Sequence, residues 1–222
     1  MGYLSRISFL ILFFTTSSAF TIFHYLKHGT VDVLHVVSIF TYSVLAWIIG
    51  SNFDRVRFHS ECDALTNVYN RRYVQNCFPA LLQKIKRENE KLCVAVIDVN
   101  RFKEINDTYG HKKGDYVIQT IAETLLKCAG KEDIVSRWGG DEFLLILPRT
   151  GNPGPVIQRI HQELKHLSQT LNVEVSVSIG YAVYPDHSQS LTELIKIADS
   201  NMYHNKYANR KEVGLSRHLL RT

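Results

Sequence analysis

The sequence predicts an α/β sandwich with a mixed, largely antiparallel sheet, preceded by a two-helix transmembrane hairpin. Three observations support this prediction. Residues 7–26 and 31–50 contain almost no charged side chains, whereas the later part of the chain is rich in them. In that later part, amphipathic helical stretches alternate with short apolar runs typical of strands. Two such runs, 134–136 and 143–147, flank a Gly-Gly pair and indicate a β-hairpin.

The two apolar segments are each long enough to cross a membrane. About 20 residues at ~1.5 Å per residue span a hydrocarbon core of ~30 Å. The connector at residues 27–30 is short, so the two helices would run antiparallel. Arg6 precedes the first segment, and Arg55 and Arg57 follow the second. Basic flanks at both outer ends place both termini in the cytoplasm, although Lys27 on the opposite side weakens this asymmetry.

Two alternatives to the transmembrane hairpin remain open. Arg6, the apolar run 7–14 and the small residues 17–19 also fit a signal peptide. Its removal would still leave one span with a cytoplasmic C-terminal side. A buried hairpin of a soluble protein would need a covering partner, which we do not expect a chain of this length to supply.

Cysteine spacing and charge exclude several classes of function. The chain has 4 cysteines, at positions without a C-x-x-C spacing, which favours reduced thiols over a metal cluster or a disulfide framework. The net charge is +5, but acids are interleaved with the basic residues, as at 84–91. A solvated helix face or contact with anionic lipid explains this pattern better than nucleic-acid binding.

From residue 52 onward the chain is polar and its elements follow one another without a repeat. Residues 52–62 continue the second apolar segment as a helix-prone connector. The pattern then predicts helices at residues 72–89, 102–108, 116–128, 156–170 and 191–207, strands at 92–99 and 173–184, a loop at 109–115, and a possible edge strand at 212–215.

Carboxylates stand where two of the predicted strands meet a turn. Asp98 lies near the end of the buried strand at residues 92–99, and Asp141 and Glu142 come directly after the Gly-Gly pair. If these strands are neighbours, the three carboxylates converge at one edge of the sheet. Like charges that close need a cation, and carboxylate oxygens suit Mg²⁺ or Mn²⁺. An ordinary hairpin with a solvated acidic pair is the simpler alternative.

Residues around these acids suit a nucleotide. Gly139 and Gly140 would supply the positive φ of a tight turn and let a ligand approach the backbone. Lys103, about one helical turn beyond Asp98, can reach phosphate oxygens, as can the amides that open its short helix. Asn106 and Asp115 flank a glycine-containing loop, where an amide and a carboxylate can bind the edge of guanine.

Six motifs follow one another between residues 63 and 211. They are Asp63-x-Leu65-Thr66-x-Val68-x-Asn70-Arg71-Arg72, Asp98-Val99-Asn100-Arg101-Phe102-Lys103-x-x-Asn106-Asp107, Gly110-His111-x-x-Gly114-Asp115, Arg137-Trp138-Gly139-Gly140-Asp141-Glu142-Phe143, Ser178-Ile179-Gly180, and Ala198-Asp199 with Lys206-x-x-Asn209-Arg210. In this order and spacing they resemble the GGDEF domain, the catalytic module of diguanylate cyclases. The resemblance covers essentially all of the chain beyond the apolar segments and their connector.

The resemblance implies a fold similar to the palm of nucleotide cyclases and polymerases. It also implies the condensation of two GTP molecules into cyclic di-GMP and two pyrophosphates. Each domain would hold one GTP, so a homodimer is needed and monomers should be inactive. The implied ligands of Mg²⁺ (or Mn²⁺) are Asp98, the backbone carbonyl of Val99, Asp141 and Glu142, and Asp141 or Glu142 would assist deprotonation of the ribose 3′-hydroxyl.

The resemblance also implies how GTP is held. Lys103 with Lys206 and Arg210 would stabilise charge on the triphosphate, and Asn106 and Asp115 would select guanine. Further substrate-binding positions are Phe102, Gly139 and Gly140. The implied organisation is a membrane hairpin at residues 1–51, a helical linker at 52–62, the GGDEF catalytic domain at 63–215 and a tail at 216–222.

The chain departs from the family pattern at three places. Asn100 stands where the family often has Asp, which predicts altered tuning of the site without loss of activity. Asn209 replaces a Gly between Lys206 and Arg210. The Arg of the family's Arg-x-x-Asp product-inhibition site is Gly130 here, although Asp133 is present. This predicts weak or absent feedback inhibition, for which Lys131 could partly substitute.

Two functions from different classes follow from the sequence. The first is an active diguanylate cyclase in the bacterial inner membrane, with its catalytic domain in the cytoplasm. The second is a non-catalytic GTP-binding module whose hairpin drives partner assembly. The retained acids Asp98, Asp141 and Glu142 favour the first. A nucleic-acid polymerase is disfavoured because the chain shows no DNA-binding extension.

Overall fold

A computed structural model describes the backbone at residues 4–30 and 33–219, and the side chains at 7–30, 33–56 and 61–206. The chain divides into two compact units, Met1–Ser60 and Glu61–Thr222. The helices are α1 (Leu4–His28), α2 (Val33–Glu61), α3 (Arg71–Glu88), α4 (Phe102–Tyr109), α5 (His111–Cys128), α6 (Gly154–Leu171) and α7 (Leu191–Leu219). The strands are β1 (Tyr69–Asn70), β2 (Leu92–Val99), β3 (Ile134–Arg137), β4 (Glu142–Pro148) and β5 (Val177–Tyr184).

The first unit is a pair of apolar helices, as the sequence predicts. The stretches Ile7–His28 and Val33–Val56 are long and apolar enough to cross a membrane. Stacking of Phe13 on Tyr42, with ring centroids 6.5 Å apart, joins α1 to α2. The most apolar part of the first stretch is not buried at all by the rest of the protein, and 11% of that of the second stretch is buried. This exposure argues against the core hairpin of a soluble protein.

The boundaries of the first unit differ slightly from those predicted. The first helix continues to His28, and Gly29, at a φ of 71°, follows it. Residues 31 and 32, where the predicted second segment begins, lie outside the described residues. The second helix runs without a break to Glu61, so the predicted connector at 52–62 is almost entirely its last part.

The second unit is built on one five-stranded sheet of order β1-β3-β4-β2-β5. The pairing of β1 with β3 is parallel, and every other pairing in this sheet is antiparallel. The predicted mixed, largely antiparallel sheet is therefore confirmed. Strand β1 was not predicted, because it is only two residues long and lies in a turn-rich segment.

Helices cover both faces of this sheet. Alternate residues of β2, such as Ala95 and Ile97, pack with α5 and α6, while Val94 and Val96 belong to the core formed with α3 and α7. The strand is buried on both sides, which is why it has the continuous apolar pattern from which its bounds were predicted. Asp98 lies two residues beyond Val96 in the same strand, so it lies on the same face of the sheet as Val94 and Val96, the face covered by α7.

Two predicted boundaries and one predicted strand are wrong. Residues 111–115 form the first turns of α5, because the break that the sequence suggested is confined to Gly110, at a φ of 82°. The last strand begins at Val177 and not at residue 173. Although Val173 and Val175 are buried, burial alone does not pair a strand. Residues 212–215 continue α7, since so short an apolar pattern does not distinguish strand from helix.

Gly180 lets α7 lie directly on β5. A Cβ built at Gly180 would be 2.1 Å from the backbone nitrogen of Met202 and 2.2 Å from the carbonyl oxygen of Ala198. Both are backbone atoms of α7, so no side-chain rotation can relieve the contact. Gly180 therefore fixes how closely α7 approaches the sheet, and with it the position of Lys206, one turn beyond Met202.

We expect Gly180→Ala to lower the free energy of unfolding of the second unit by about 1–3 kcal/mol, the usual cost of overpacking. The measurement is urea denaturation followed by Trp138 fluorescence in a Trp47→Phe background. Gly140→Ala is the matched control, because a Cβ there meets no atom within 4 Å. Equal stability of the two alanine variants would contradict the close approach of α7.

Candidate active site

The two predicted acidic positions lie side by side at one end of the sheet. In the antiparallel register of β2 with β4, Asp98 is the partner of Glu142, and on its other side Asp98 is the partner of Ser178 in β5. Glu142 alternates along β4 with Leu144 and Ile146, so it lies on the same face as these residues, which pack in the core beside α7. Asp98 and Glu142 therefore lie on the same face of the sheet, the face that α7 covers.

The turn between β3 and β4 does not have the predicted geometry. The last cross-strand pair is Arg137 with Phe143, and the backbone N–H groups of Trp138 and Gly139 both donate to the Glu142 carbonyl, at 2.8 and 3.2 Å. The predicted positive φ at Gly139 and Gly140 is wrong, because the described glycines with positive φ are Gly29 and Gly110. The turn contains more residues than a two-residue turn, so the φ requirement of such a turn does not apply.

The glycines instead leave space around the acids. A Cβ at Gly139 would lie 2.7 Å from Glu142 Oε2, whereas one at Gly140 would meet no atom within 4 Å. The missing side chain at Gly139 thus makes room for the Glu142 carboxylate. The open space at Gly140 leaves its backbone accessible to a ligand.

Arg137 fixes this turn to the start of the second unit. Its Nε and Nη2 donate to the Gly140 carbonyl at 3.2 and 2.7 Å, and its Nη1 donates to Asp63 Oδ1 at 3.0 Å. Asp63 also accepts from the amide and hydroxyl of Thr66. Burial raises the pKa of Asp63, but the Thr66 and Arg137 hydrogen bonds outweigh it and hold that pKa below its ordinary value. The ion pair between Arg137 and Asp63 was not predicted from the sequence.

Lys206 brings a positive charge to the acids. Its ammonium group forms an ion pair with Asp98, and the side chains are only 22% and 14% exposed. A partly desolvated pair of this kind is screened less than a surface pair. The structure therefore brings Lys206 from α7 to the predicted metal ligand Asp98.

Glu142 has excess negative charge around it. Burial raises its pKa, the carboxylates of Asp141, Asp98 and Asp199 raise it further, and Lys206 opposes them. The proximity of Asp199 to Glu142 was not predicted, because Asp199 lies far from the other acids in sequence. One lysine does not balance four carboxylates, so the site attracts further cations.

The residues of this site fit a divalent cation in chemistry. Carboxylate oxygens are hard donors of the kind that Mg²⁺ and Mn²⁺ prefer, and the Lys206 ammonium already stands in for positive charge at Asp98. Among the described residues, no three His, Cys, Asp or Glu side chains are arranged to hold a metal ion directly. The Lys206 ammonium is paired with one oxygen of the Asp98 carboxylate, Oδ1.

A second group of residues lies where α4 meets α5. The Oδ1 atom of Asn106 is buried and accepts no hydrogen bond from the described residues. A Cβ at Gly114 would lie 1.8 Å from this oxygen and 3.4 Å from Phe102 Cε2. Gly114 thus allows Asn106 and Phe102 to pack against α5, with Asp115 exposed beside them. A buried acceptor without a partner is what a ligand N–H group would satisfy.

Of the remaining predicted residues, the structure describes the side chain of Lys103 but not those of Asn209 and Arg210. Lys103 is exposed on α4, near the acids in sequence. The helix α4 opens at Arg101, at a φ of 55°, without a side-chain hydrogen bond to its first amides. The side chains of Asn209 and Arg210 lie outside the described residues. No structural role is therefore assigned to these two.

Residues 60–212 match the family model described as diguanylate cyclase, GGDEF domain. The chain belongs to this family. The match covers more than half of the chain, including both acidic positions and the α4–α5 pair. It confirms the resemblance that the sequence motifs indicated.

Curated relatives of this GGDEF protein share its domain. The chain is 38% identical to diguanylate cyclase DgcM of Escherichia coli K12 over 154 residues, which is 68% of this chain and 37% of the relative. It is 30% identical to diguanylate cyclase DosC of the same strain over 182 residues, 79% of this chain and 39% of the relative. The chain thus spans less than two fifths of the length of these relatives.

Solved GGDEF domains confirm the fold. The GGDEF domain of YfiN (TpbB) from Pseudomonas aeruginosa matches with a TM-score of 0.62 at 33% identity, covering 66% of this chain and 89% of that one. The coiled coil and GGDEF domain of DgcB from Caulobacter crescentus, in complex with c-di-GMP, matches with a TM-score of 0.68 at 25% identity. That match covers 78% of this chain and 94% of DgcB's.

The raised pKa of Glu142 predicts a pH dependence of stability. A carboxyl whose pKa is higher in the folded state binds more protons there, so stability falls as pH rises above the ordinary pKa of glutamate. We expect Glu142→Gln to raise the urea midpoint at neutral pH, and the gain to vanish below pH ~4.

The control for this prediction is Glu123→Gln, at an exposed position on α5. It should shift the midpoint little at any pH. A Glu142→Gln midpoint that is unchanged or lower at neutral pH would show that the neighbouring carboxylates do not repel Glu142.

Proposed function

We propose that this chain is a membrane-tethered diguanylate cyclase, which condenses two GTP molecules into cyclic di-GMP and two pyrophosphates. The observation that supports this most is the register pair of Asp98 with Glu142, with Asp141 beside it and Lys206 opposite. Family membership and the names of the relatives support the same activity. Phosphoryl transfer depends mainly on positioning and charge stabilisation, and these residues supply both.

The acids would hold one or two Mg²⁺ ions (or Mn²⁺). Asp98, Asp141, Glu142 and the Val99 carbonyl are the proposed ligands. When bound, the cation would supply charge neutralisation for the triphosphate. Asp141 or Glu142 would accept the proton of the ribose 3′-hydroxyl.

Residues of α4, α5 and α7 would bind the nucleotide. Lys103, Lys206 and Arg210 would neutralise the phosphates, assisted by the uncapped amides that open α4. Gly139 and Gly140 would let the triphosphate approach the backbone. The buried oxygen of Asn106 would accept a hydrogen bond from the guanine edge, with Asp115 as second acceptor and Phe102 alongside.

Catalysis would need two copies of the chain. Cyclic di-GMP contains two phosphodiester bonds related by symmetry, and each GGDEF domain would bring one GTP. The apolar helices would hold two copies in one membrane and so raise their effective concentration. We place these helices in the bacterial inner membrane and the GGDEF domain in the cytoplasm. One structural neighbour, the diguanylate cyclase SiaD of Pseudomonas aeruginosa, was solved in complex with its activator SiaC, so activation by a partner protein has a precedent.

The first prediction from this proposal concerns Asp141. The full chain in lipid nanodiscs should convert GTP to cyclic di-GMP when Mg²⁺ is present. Asp141→Ala should lower the rate at least ~100-fold, because it removes a proposed ligand and a candidate base. Asp186→Ala, which removes an exposed acid paired with Lys91, should retain the parent's rate.

The outcomes separate the two classes of function. Product from the parent and its loss in Asp141→Ala support the cyclase. If the parent binds GTP as a dimer yet makes no product, the chain is instead a GTP-binding regulatory module. Equal rates of cyclic di-GMP formation by the parent and by Asp141→Ala would contradict the proposed role of Asp141.

A second prediction concerns guanine selection. Asn106→Ala removes the buried acceptor, so the preference for GTP over ATP, measured as the ratio of kcat/KM values, should fall at least ~10-fold. Thr108→Ala, at an exposed position of the same helix, is the control. An unchanged ratio in Asn106→Ala would place guanine recognition elsewhere.

A third prediction concerns feedback inhibition. Asp133 accepts a hydrogen bond from the Gly130 amide at 2.6 Å, so its carboxylate is held by the local backbone, and Gly130 offers no guanidinium. We propose that the product inhibits this chain weakly or not at all through this site. Gly130→Arg should lower the half-inhibitory concentration of cyclic di-GMP at least ~10-fold, since arginine pairs with phosphate bidentately. Lys131→Ala tests whether that lysine substitutes. Tight cyclic di-GMP binding at Asp133 in the parent would contradict the proposal.

A further inference from the structure

Asn100 joins the end of β2 to the chain that leads into β5. Its backbone N–H donates to the Ser176 carbonyl at 2.9 Å. Its side-chain Nδ2 donates to Ser176 Oγ at 3.1 Å, and its Oδ1 accepts from Ser178 Oγ at 2.7 Å. Three hydrogen bonds thus connect this one residue to two serines, and Ser178 is only 2% exposed.

The backbone hydrogen bonds of Val99 and Asn100 show the direction of the Val99 carbonyl. The Val99 N–H donates to the Asp141 carbonyl at 3.1 Å, on the side of the acidic turn. The Asn100 N–H points the opposite way, toward Ser176. In a trans peptide the carbonyl oxygen lies opposite the following N–H, so the Val99 carbonyl points away from β5 and toward Asp141.

We propose that Asn100 is a positioning residue, whose amide side chain clamps β2 to Ser176 and Ser178 and thereby aims the Val99 carbonyl at the cation site. The proposal rests on the proposed function for the identity of that site. It gives a structural role to Asn100, which stands where the family often has Asp. Asn100 acts through Val99 and touches no reacting atom.

The amide suits this position better than a carboxylate. It offers one donor and one acceptor, which match the acceptor on Ser176 and the donor on Ser178. A carboxylate would add a fifth negative charge near Asp98, Asp141, Glu142 and Asp199. An amide satisfies the same serines without increasing that repulsion.

The test measures cation binding without turnover. Mn²⁺ is titrated against the full chain in nanodiscs, with a non-hydrolysable GTP analogue, and free Mn²⁺ is followed by electron paramagnetic resonance. Asn100→Ala should raise the Kd for Mn²⁺ about 10-fold or more, in the range found when groups that orient metal ligands are removed. Ser178→Ala, which removes one of the bonds, should raise it less.

The matched control is Asn201→Ala. Asn201 also donates from its side chain to β5, to the Tyr181 carbonyl at 3.0 Å, but it lies on α7, away from Val99. It should leave the Kd for Mn²⁺ unchanged. Asn100→Asp should bind Mn²⁺ better than Asn100→Ala, because both serine hydroxyls can donate to a carboxylate.

Each outcome decides the proposal. It is overturned if Asn100→Ala binds Mn²⁺ like the parent, if Asn201→Ala weakens binding equally, or if the parent binds no Mn²⁺ with the analogue. Should Asn100→Ala not fold, Ser178→Ala decides in the same way. A parent that binds Mn²⁺ with the predicted dependence on Asn100 but makes no cyclic di-GMP would support the clamp and refute the cyclase.

Discussion

The antiparallel pairing of β2 with β4 is the constraint on which the site depends. It places Asp98 beside Glu142, although the two residues lie far apart in sequence. A slip of one residue would turn one of these acids to the opposite face of the sheet. The burial of both strands resists such a slip, because it would also expose or misplace the apolar side chains of two cores. Hydrophobic packing thus holds together charges that repel one another.

That repulsion gives the site its chemistry. Burial and the neighbouring acids raise the pKa of Glu142, and the Lys206 ammonium on Asp98 offsets part of the negative charge. Lys206 reaches them because Gly180 lets α7 approach β5 at backbone distance. The same lysine would neutralise either Asp98 or a phosphate. Nucleotide and cation binding would therefore be coupled through its release, a change in ion pairing that requires no movement of the sheet.

The sequence predicted most of what periodicity and buried strands determine. The bounds of β2 were predicted correctly because burial on both faces leaves an unbroken apolar run. The start of α5 was missed because its first turn is charged and contains Gly114, whose small size serves contact with Asn106. The charge of Asp199 beside Glu142 and the hydrogen bonds of Asn100 depend on tertiary contacts that sequence spacing does not reveal. Family motifs named the site residues, but the relationships among them came from the structure.

The most direct test of this account is the position of Mn²⁺ in crystals of the protein with a non-hydrolysable GTP analogue, located by anomalous scattering. The account predicts an anomalous peak about 2.2 Å from carboxylate oxygens of Asp98 and Asp141 or Glu142. It also predicts that Lys206 moves from Asp98 to the phosphates. A peak remote from these acids, with Lys206 still paired to Asp98, would contradict the claim that the β2–β4 pairing builds a cation site.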